Sequence, residues 1–147
     1  MTCRVLAIDP GPTESAFVLY DGERILDHGH WGNVALLNRL KQRLFGEAYV
    51  TVIEQVEAMG MSVGKSVFET VFWSGRFAQA SRPFDRMPRA KVKLHLTGRR
   101  NTKDPDIRAA LLKRFGGFPA GFTSHRYAAL AVAVTWMDQQ QKRAGAA

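Results

Sequence analysis

The spacing of apolar positions changes period several times along the chain, and each change marks an element. Residues 3–9 are an almost unbroken apolar run ending at Asp9, which predicts a buried strand. Pro10-Gly11-Pro12 breaks it. Residues 15–20, Ser-Ala-Phe-Val-Leu-Tyr, predict a second strand. Asp21-Gly22 predicts a two-residue hairpin, and residues 24–30 an antiparallel third strand. Over residues 33–45, Val34, Leu36, Leu37, Leu40, Leu44 and Phe45 recur at helical spacing, with Asn33 as N-cap. The β-branched run Tyr49-Val50-Thr51-Val52-Ile53 predicts a fourth strand, closed by Glu54.

Helical spacing returns over residues 65–80 through Val67, Phe68, Val71, Phe72 and Phe77. This aromatic stripe, with Trp73, is expected in the core or at an interface. Residues 88–96 alternate, Ala90, Val92, Leu94 and Leu96 against Lys91, Lys93 and His95, which predicts a fifth strand with a basic outer face. Asp104, followed by Pro105, is the expected N-cap of a helix over 105–115. A stretch rich in Ala and Val predicts a last helix over 125–141, capped by Ser124. Residues 142–147 form a small polar tail expected to fray.

The order β-β-β-α-β-α-β-α-α, with a helix available for a parallel crossover, places the chain in the α/β class, with a mixed five-stranded sheet and helices on its faces. No linker or internal repeat divides residues 1–141, so a single domain is expected. Cys3 is the only cysteine, which excludes an internal disulfide and suits a reducing, cytoplasmic setting. No apolar stretch is long enough for a membrane span, and no secretory signal pattern opens the chain.

Charge narrows the partner. The net charge is +8, and it is uneven. Arg82, Arg86, Arg89, Lys91, Lys93, Arg99, Arg100, Lys103, Arg108, Lys113 and Arg114 are opposed locally only by Asp85, Asp104 and Asp106. A nucleic acid is the expected polyanion, because no basic amphipathic helix with an exposed apolar face favours a membrane surface. A merely solvated surface is the plain alternative. Lys91, Lys93, Arg99, Arg100 and Lys103 are the candidates for phosphate contact, which gives affinity rather than sequence choice.

The candidate chemistry lies at strand ends. Asp9 and Glu54 close the first and fourth strands. If those strands are parallel neighbours, the ends lie roughly 5 Å apart at the edge where open α/β sheets bind ligands. Two carboxylates there repel, and Mg²⁺ or Mn²⁺ would remove the conflict and activate water against a phosphodiester. Otherwise Asp9 only starts a turn and Glu54 only caps a strand. Asp104 is a further candidate for the cluster, or simply a cap. Glu57 and Glu69 are read as solvated, and His28 and His30 as structural, since they have no partner at metal-ligand spacing.

Several segments resemble the RuvC family of four-way-junction resolvases. Val5-Leu6-Ala7-Ile8-Asp9-Pro10-Gly11-Pro12 looks like that family's first strand with its metal-binding Asp. Val52-Ile53-Glu54-Gln55-Val56 looks like its Ile-Glu-Gln segment, and Ala129-Leu130-Ala131-Val132-Ala133-Val134 looks like its last helix. Gly60-Met61-Ser62-Val63-Gly64, Phe68-Glu69-Thr70-Val71, Lys93-Leu94-His95-Leu96 and Lys103-Asp104 are similar to a short, phage-associated subfamily. Together they cover nearly the whole chain.

The resemblance implies a ribonuclease-H-like fold and a homodimeric endonuclease, dependent on Mg²⁺ or Mn²⁺, that cuts branched DNA by paired nicks. A four-way junction has two-fold symmetry, so paired nicks need two sites. The alignment puts His125 where the family opens its last helix with Asp, and Ala128 at the place of a further Asp found in the longer relatives. His125 is therefore a third ligand, an acid–base group, or only a cap or phosphate contact. A helix N-terminus disfavours imidazolium and should keep it neutral. Asp138 is about 20 Å along the same helix, too far to substitute. Met59 and Met61 fall where the family contacts the junction. The alternatives are a branched-DNA-binding protein without chemistry, or a nuclease of the same fold acting on another nucleic acid.

Overall fold

Val5, Leu6, Ala7 and Ile8 are fully buried, so the run that opens the chain becomes the central strand β1 (Arg4–Asp9) of a five-stranded sheet. The structure, a computed structural model, describes residues 3–58, 60–81 and 83–146; Met59 and Arg82 lie outside these. The remaining elements are β2 (Glu14–Tyr20), β3 (Ile25–Gly32), α1 (Asn33–Lys41), β4 (Tyr49–Gln55), α2 (Lys65–Ala80), β5 (Phe84–Pro88), α3 (Arg89–Thr97), α4 (Asp104–Phe115) and α5 (His125–Ala146). The sheet order is β3-β2-β1-β4-β5. The first three strands form an antiparallel meander, and β4 and β5 are added parallel to β1. The expected mixed five-stranded sheet is present.

Alternation along the strands divides the core in two. Leu6, Ile8, Phe17, Leu19 and Ile53 meet Leu36, Leu37 and Leu40 of α1 and Phe77 of α2. Val5, Ala7, Ala16, Val18 and Val52 meet α5, with Val92 of α3 and Ile107 and Leu111 of α4 beside it. Helices therefore cover both faces. Residues 129–137 of α5 are all buried, as expected of a helix that is apolar all round, and their small side chains suit close approach to β1 and β2.

Four local expectations are corrected. The stretch 88–96 is not a strand: β5 ends at Pro88 and α3 begins at Arg89. Val92 and half-buried Leu96 are four residues apart, a spacing common to both periods, whereas Leu94 is 42% exposed. The hairpin is wider than two residues. Asp21 accepts the N–H groups of Glu23 and Arg24 at 2.8 and 2.7 Å, and the strand resumes at Ile25. α1 stops at Lys41 rather than residue 45, and Arg43 follows with φ 54°. α5 continues to Ala146, past the point where fraying was expected, although its last turns are exposed.

Asn33 does not cap α1. It is the first helical residue, and its side chain is buried against the loop after β1. Ser15 Oγ donates to its Oδ1 at 2.6 Å, its Nδ2 donates to the Gly11 carbonyl at 2.9 Å, and Gly11 N–H donates to Ser15 Oγ at 3.1 Å. This closed network fixes the Pro10-Gly11 turn that carries Asp9. Asn33→Ala leaves the buried Ser15 hydroxyl and the part-buried Gly11 carbonyl without this partner, so the unfolding free energy in urea should fall by about 2 kcal/mol.

Candidate active site at the carboxyl edge of the sheet

Because β1, β4 and β5 are parallel, their carboxyl ends fall on one edge. Ile8 pairs with Ile53, so Asp9 and Glu54 leave neighbouring strands side by side, and Glu54 pairs with Met87, two residues before Arg89. The amino-terminal ends of α4 and α5 bring Asp104 and His125 to the same edge. Asp9, Glu54, Arg89, Asp104, Arg108 and His125 line a cleft of about 350 Å³.

Asp9 Oδ2 lies 3.0 Å from His125 Nδ1. Arg89 donates from Nη1 to Glu54 Oε1 at 3.1 Å, and from Nη2 to Asp104 Oδ1. The side chains of Asp9 and Glu54 are 14% and 12% exposed, so neither charge is well hydrated. Burial, and then the Asp9 charge, push Glu54 from 4.5 up to about 7, even with Arg89 opposing. His125 moves up, because its bond to Asp9 favours imidazolium. That is opposite to the direction expected from the helix N-terminus alone, and the adjacent full charge outweighs the partial one.

Asp9, Glu54, His125 and Asp104 are thus brought together. Asp104 is the first residue of α4 rather than its cap. Lys103 holds the cap position, and its backbone N–H donates to Asp106 at 3.1 Å. That leaves the Asp104 carboxylate to Arg89. Asp138 lies elsewhere, held by both Arg114 nitrogens at 2.7 Å and by His95 at 2.8 Å. Glu57 and Glu69 are exposed and do not line the cleft, whereas Ala128 lines it without a carboxylate.

The basic candidates separate once α3 is a helix. Lys93 is one turn on from Arg89 and shares its face, whereas Lys91 is turned away. Arg99 and Arg100 are exposed in the loop after α3, and Lys103 is exposed beside Asp104. Sequence reasoning missed the place of Arg89, one member of a long basic run. It also missed His30, whose ring centroid is 5.3 Å from that of His125 and whose Nε2 is 3.8 Å from Glu14. Register held the signal for His30: Asp9 pairs with Ala16, and Ala16 with His30, so all three share a cross-strand row.

Among the described residues, no three His, Cys, Asp or Glu side chains converge closely enough to hold an ion. The donor chemistry nevertheless fits a divalent cation. Two poorly hydrated carboxylates, with a third at the rim, face the single guanidinium of Arg89, and burial together with the Asp9 charge raises the Glu54 pKa. None of the described helices is long and apolar enough to cross a membrane.

No family model and no curated protein sequence matches this chain. Solved structures do match, and they define the class: the chain has the ribonuclease-H-like fold. In particular, it is similar to RuvC of Thermus thermophilus, at a TM-score of 0.69 and 18% identity, over 95% of this chain and 96% of that one. T. thermophilus RuvC in complex with Holliday junction substrate matches at a TM-score of 0.67 and 18% identity, with the same coverage. At this identity the likeness is one of fold.

Proposed function

We propose that this chain is a structure-selective DNA endonuclease that resolves four-way junctions by paired nicks with Mg²⁺ or Mn²⁺. The observation that carries the reading is the pairing of Asp9 and Glu54 at the carboxyl edge of a RuvC-like sheet. A junction complex of the similar T. thermophilus protein supports branched DNA as the substrate. The short, phage-associated character of the sequence and a cytoplasmic setting belong to the same reading.

Asp9 and Glu54 would hold the metal, with Asp104 or His125 completing the set. A divalent ion held there would supply an acidified water and stabilise the leaving oxygen. The chain's own residues do the rest. Asp9 orients His125 through Nδ1, which leaves Nε2 to move a proton at the phosphate. Arg108, Lys93 and Lys103 around the cleft provide phosphate contacts, with Lys91, Arg99 and Arg100 further out along the DNA.

A homodimer is part of this reading. The aromatic stripe of α2 is split: Phe77 is buried, but Phe68, Val71 and Phe72 are 65%, 52% and 58% exposed on one face. Apolar surface of that kind, at helical spacing, is suited to a two-fold contact. Phe68→Glu with Phe72→Glu should convert a dimer to a monomer in sedimentation, and abolish paired cutting while leaving the fold intact.

A second reading, junction binding without chemistry, is favoured by His125 standing in the cleft where the resemblance expects an Asp. The deciding experiment is a labelled four-way junction incubated with Mg²⁺ or Mn²⁺, beside linear duplex and RNA–DNA hybrid. Symmetric paired nicks confined to the junction are expected. Tight junction binding with no nicks in either metal would leave the binding protein, and preferential cutting of the hybrid would reassign the substrate.

A further inference from the structure

Arg89 is placed by the backbone rather than by chance reach. Glu54 pairs with Met87 on the neighbouring strand, Pro88 ends that strand with φ −63° and ψ 138°, and Arg89 opens α3 directly at the edge. One nitrogen of its guanidinium donates to Glu54 and the other to Asp104, carboxylates from a strand and a helix about a third of the chain apart. Its side chain is 38% exposed, open to the cleft on its free side. Among the described residues, it is the only Lys or Arg that forms an ion pair with Asp9, Glu54 or Asp104.

We propose that Arg89 is a positioning residue: an internal cation that competes with the divalent metal for Glu54 and Asp104, and whose guanidinium transfers to a DNA phosphate when it yields them. This rests on the nuclease reading and adds a residue outside the expected ligand set. The reason is charge and shape. A guanidinium hydrogen-bonded to Glu54 would stand within a few ångströms of an ion on the same carboxylate, and like charges at that distance in a poorly hydrated cleft cannot both be favourable. Once released, the planar fork that fits a carboxylate fits a phosphate equally well. Metal and DNA then bind cooperatively, and by linkage each strengthens the other by the same factor. Arg89 thereby occupies Glu54 and Asp104 until a phosphate is present.

The test is Mn²⁺ titration by calorimetry, without DNA, on the parent protein, Arg89→Gln and Arg89→Lys, with near-ultraviolet circular dichroism confirming the fold. Arg89→Gln removes the charge but keeps hydrogen-bonding capacity, and should bind Mn²⁺ about tenfold more tightly than the parent. Arg89→Lys keeps the charge but reaches only one carboxylate, and should be intermediate; if Arg89→Gln does not fold, this variant decides. In gel shifts with Ca²⁺ as the divalent ion, junction binding by the parent should tighten, and this gain should shrink in Arg89→Gln. Unchanged or weaker Mn²⁺ binding in the folded variants overturns the role of Arg89 and leaves the nuclease reading standing. If neither parent nor variants bind Mn²⁺, both the competition and the metal-dependent reading fail.

Discussion

Asp9→Asn should reduce junction cleavage by on the order of a thousandfold while leaving junction binding nearly unchanged. The two side chains have the same shape, so the β1 edge and the Asn33–Ser15–Gly11 network that fixes the adjacent turn are undisturbed. Only the charge is lost, and it does two things. It is one of the two buried-edge carboxylates proposed to hold the metal, and it is the principal cause of the raised His125 pKa. The variant therefore loses a proposed metal ligand and the partner that draws His125 toward imidazolium. The phosphate contacts proposed for α3, the following loop and the α4 cap do not use the Asp9 carboxylate, so binding should persist. Single-turnover cleavage and a gel shift at matched salt measure the two effects separately. Parent-like cleavage by Asp9→Asn would falsify the assignment of the site.

Glu54→Gln should both abolish cleavage and remove a pH dependence from stability. Folding raises the Glu54 pKa from 4.5 to about 7. The folded state therefore holds a proton that the unfolded state releases. The associated stability is complete below pH 4.5, falls between 4.5 and 7, and is gone above 7. The rise corresponds to a loss of about 3 kcal/mol across that interval. Gln resembles the protonated acid and has no such transition. Urea unfolding at pH 5 and pH 8 without divalent ions should give the parent a marked decline that the variant lacks. Equal slopes in both proteins would mean that Glu54 ionises normally. On the proposed ligand set, the same pKa implies that Mn²⁺ binding, which needs the carboxylate, should strengthen as pH rises through 7.

The acidic edge was legible because strand ends are marked by where apolar runs stop. Asp9 and Glu54 each close a buried run, and a helix of crossover length between β3 and β4 allows the parallel pairing of β1 with β4 that the sheet adopts. α2 was read at its observed limits, since its apolar positions admit only a helical period. The segment 88–96 was misread because Val92 and Leu96 satisfy both periods, and the error misplaced its basic residues. On a strand Lys91 and Lys93 share a face; on α3 they do not.

What the sequence by itself determined is every element except the β5–α3 segment, which reads as a single strand, and the carboxylates at the ends of β1 and β4. These depend on local spacing, and spacing reports burial. Only the tertiary structure decided the electrostatic partners. Arg89 between Glu54 and Asp104, and His125 on Asp9, join residues 15 to 116 positions apart. Nothing in local periodicity encodes such pairs, because they arise from sheet register and from where helices start against it. The charge state of the site follows from those pairings, so His125 is drawn toward imidazolium by a neighbour that its own helix gives no sign of.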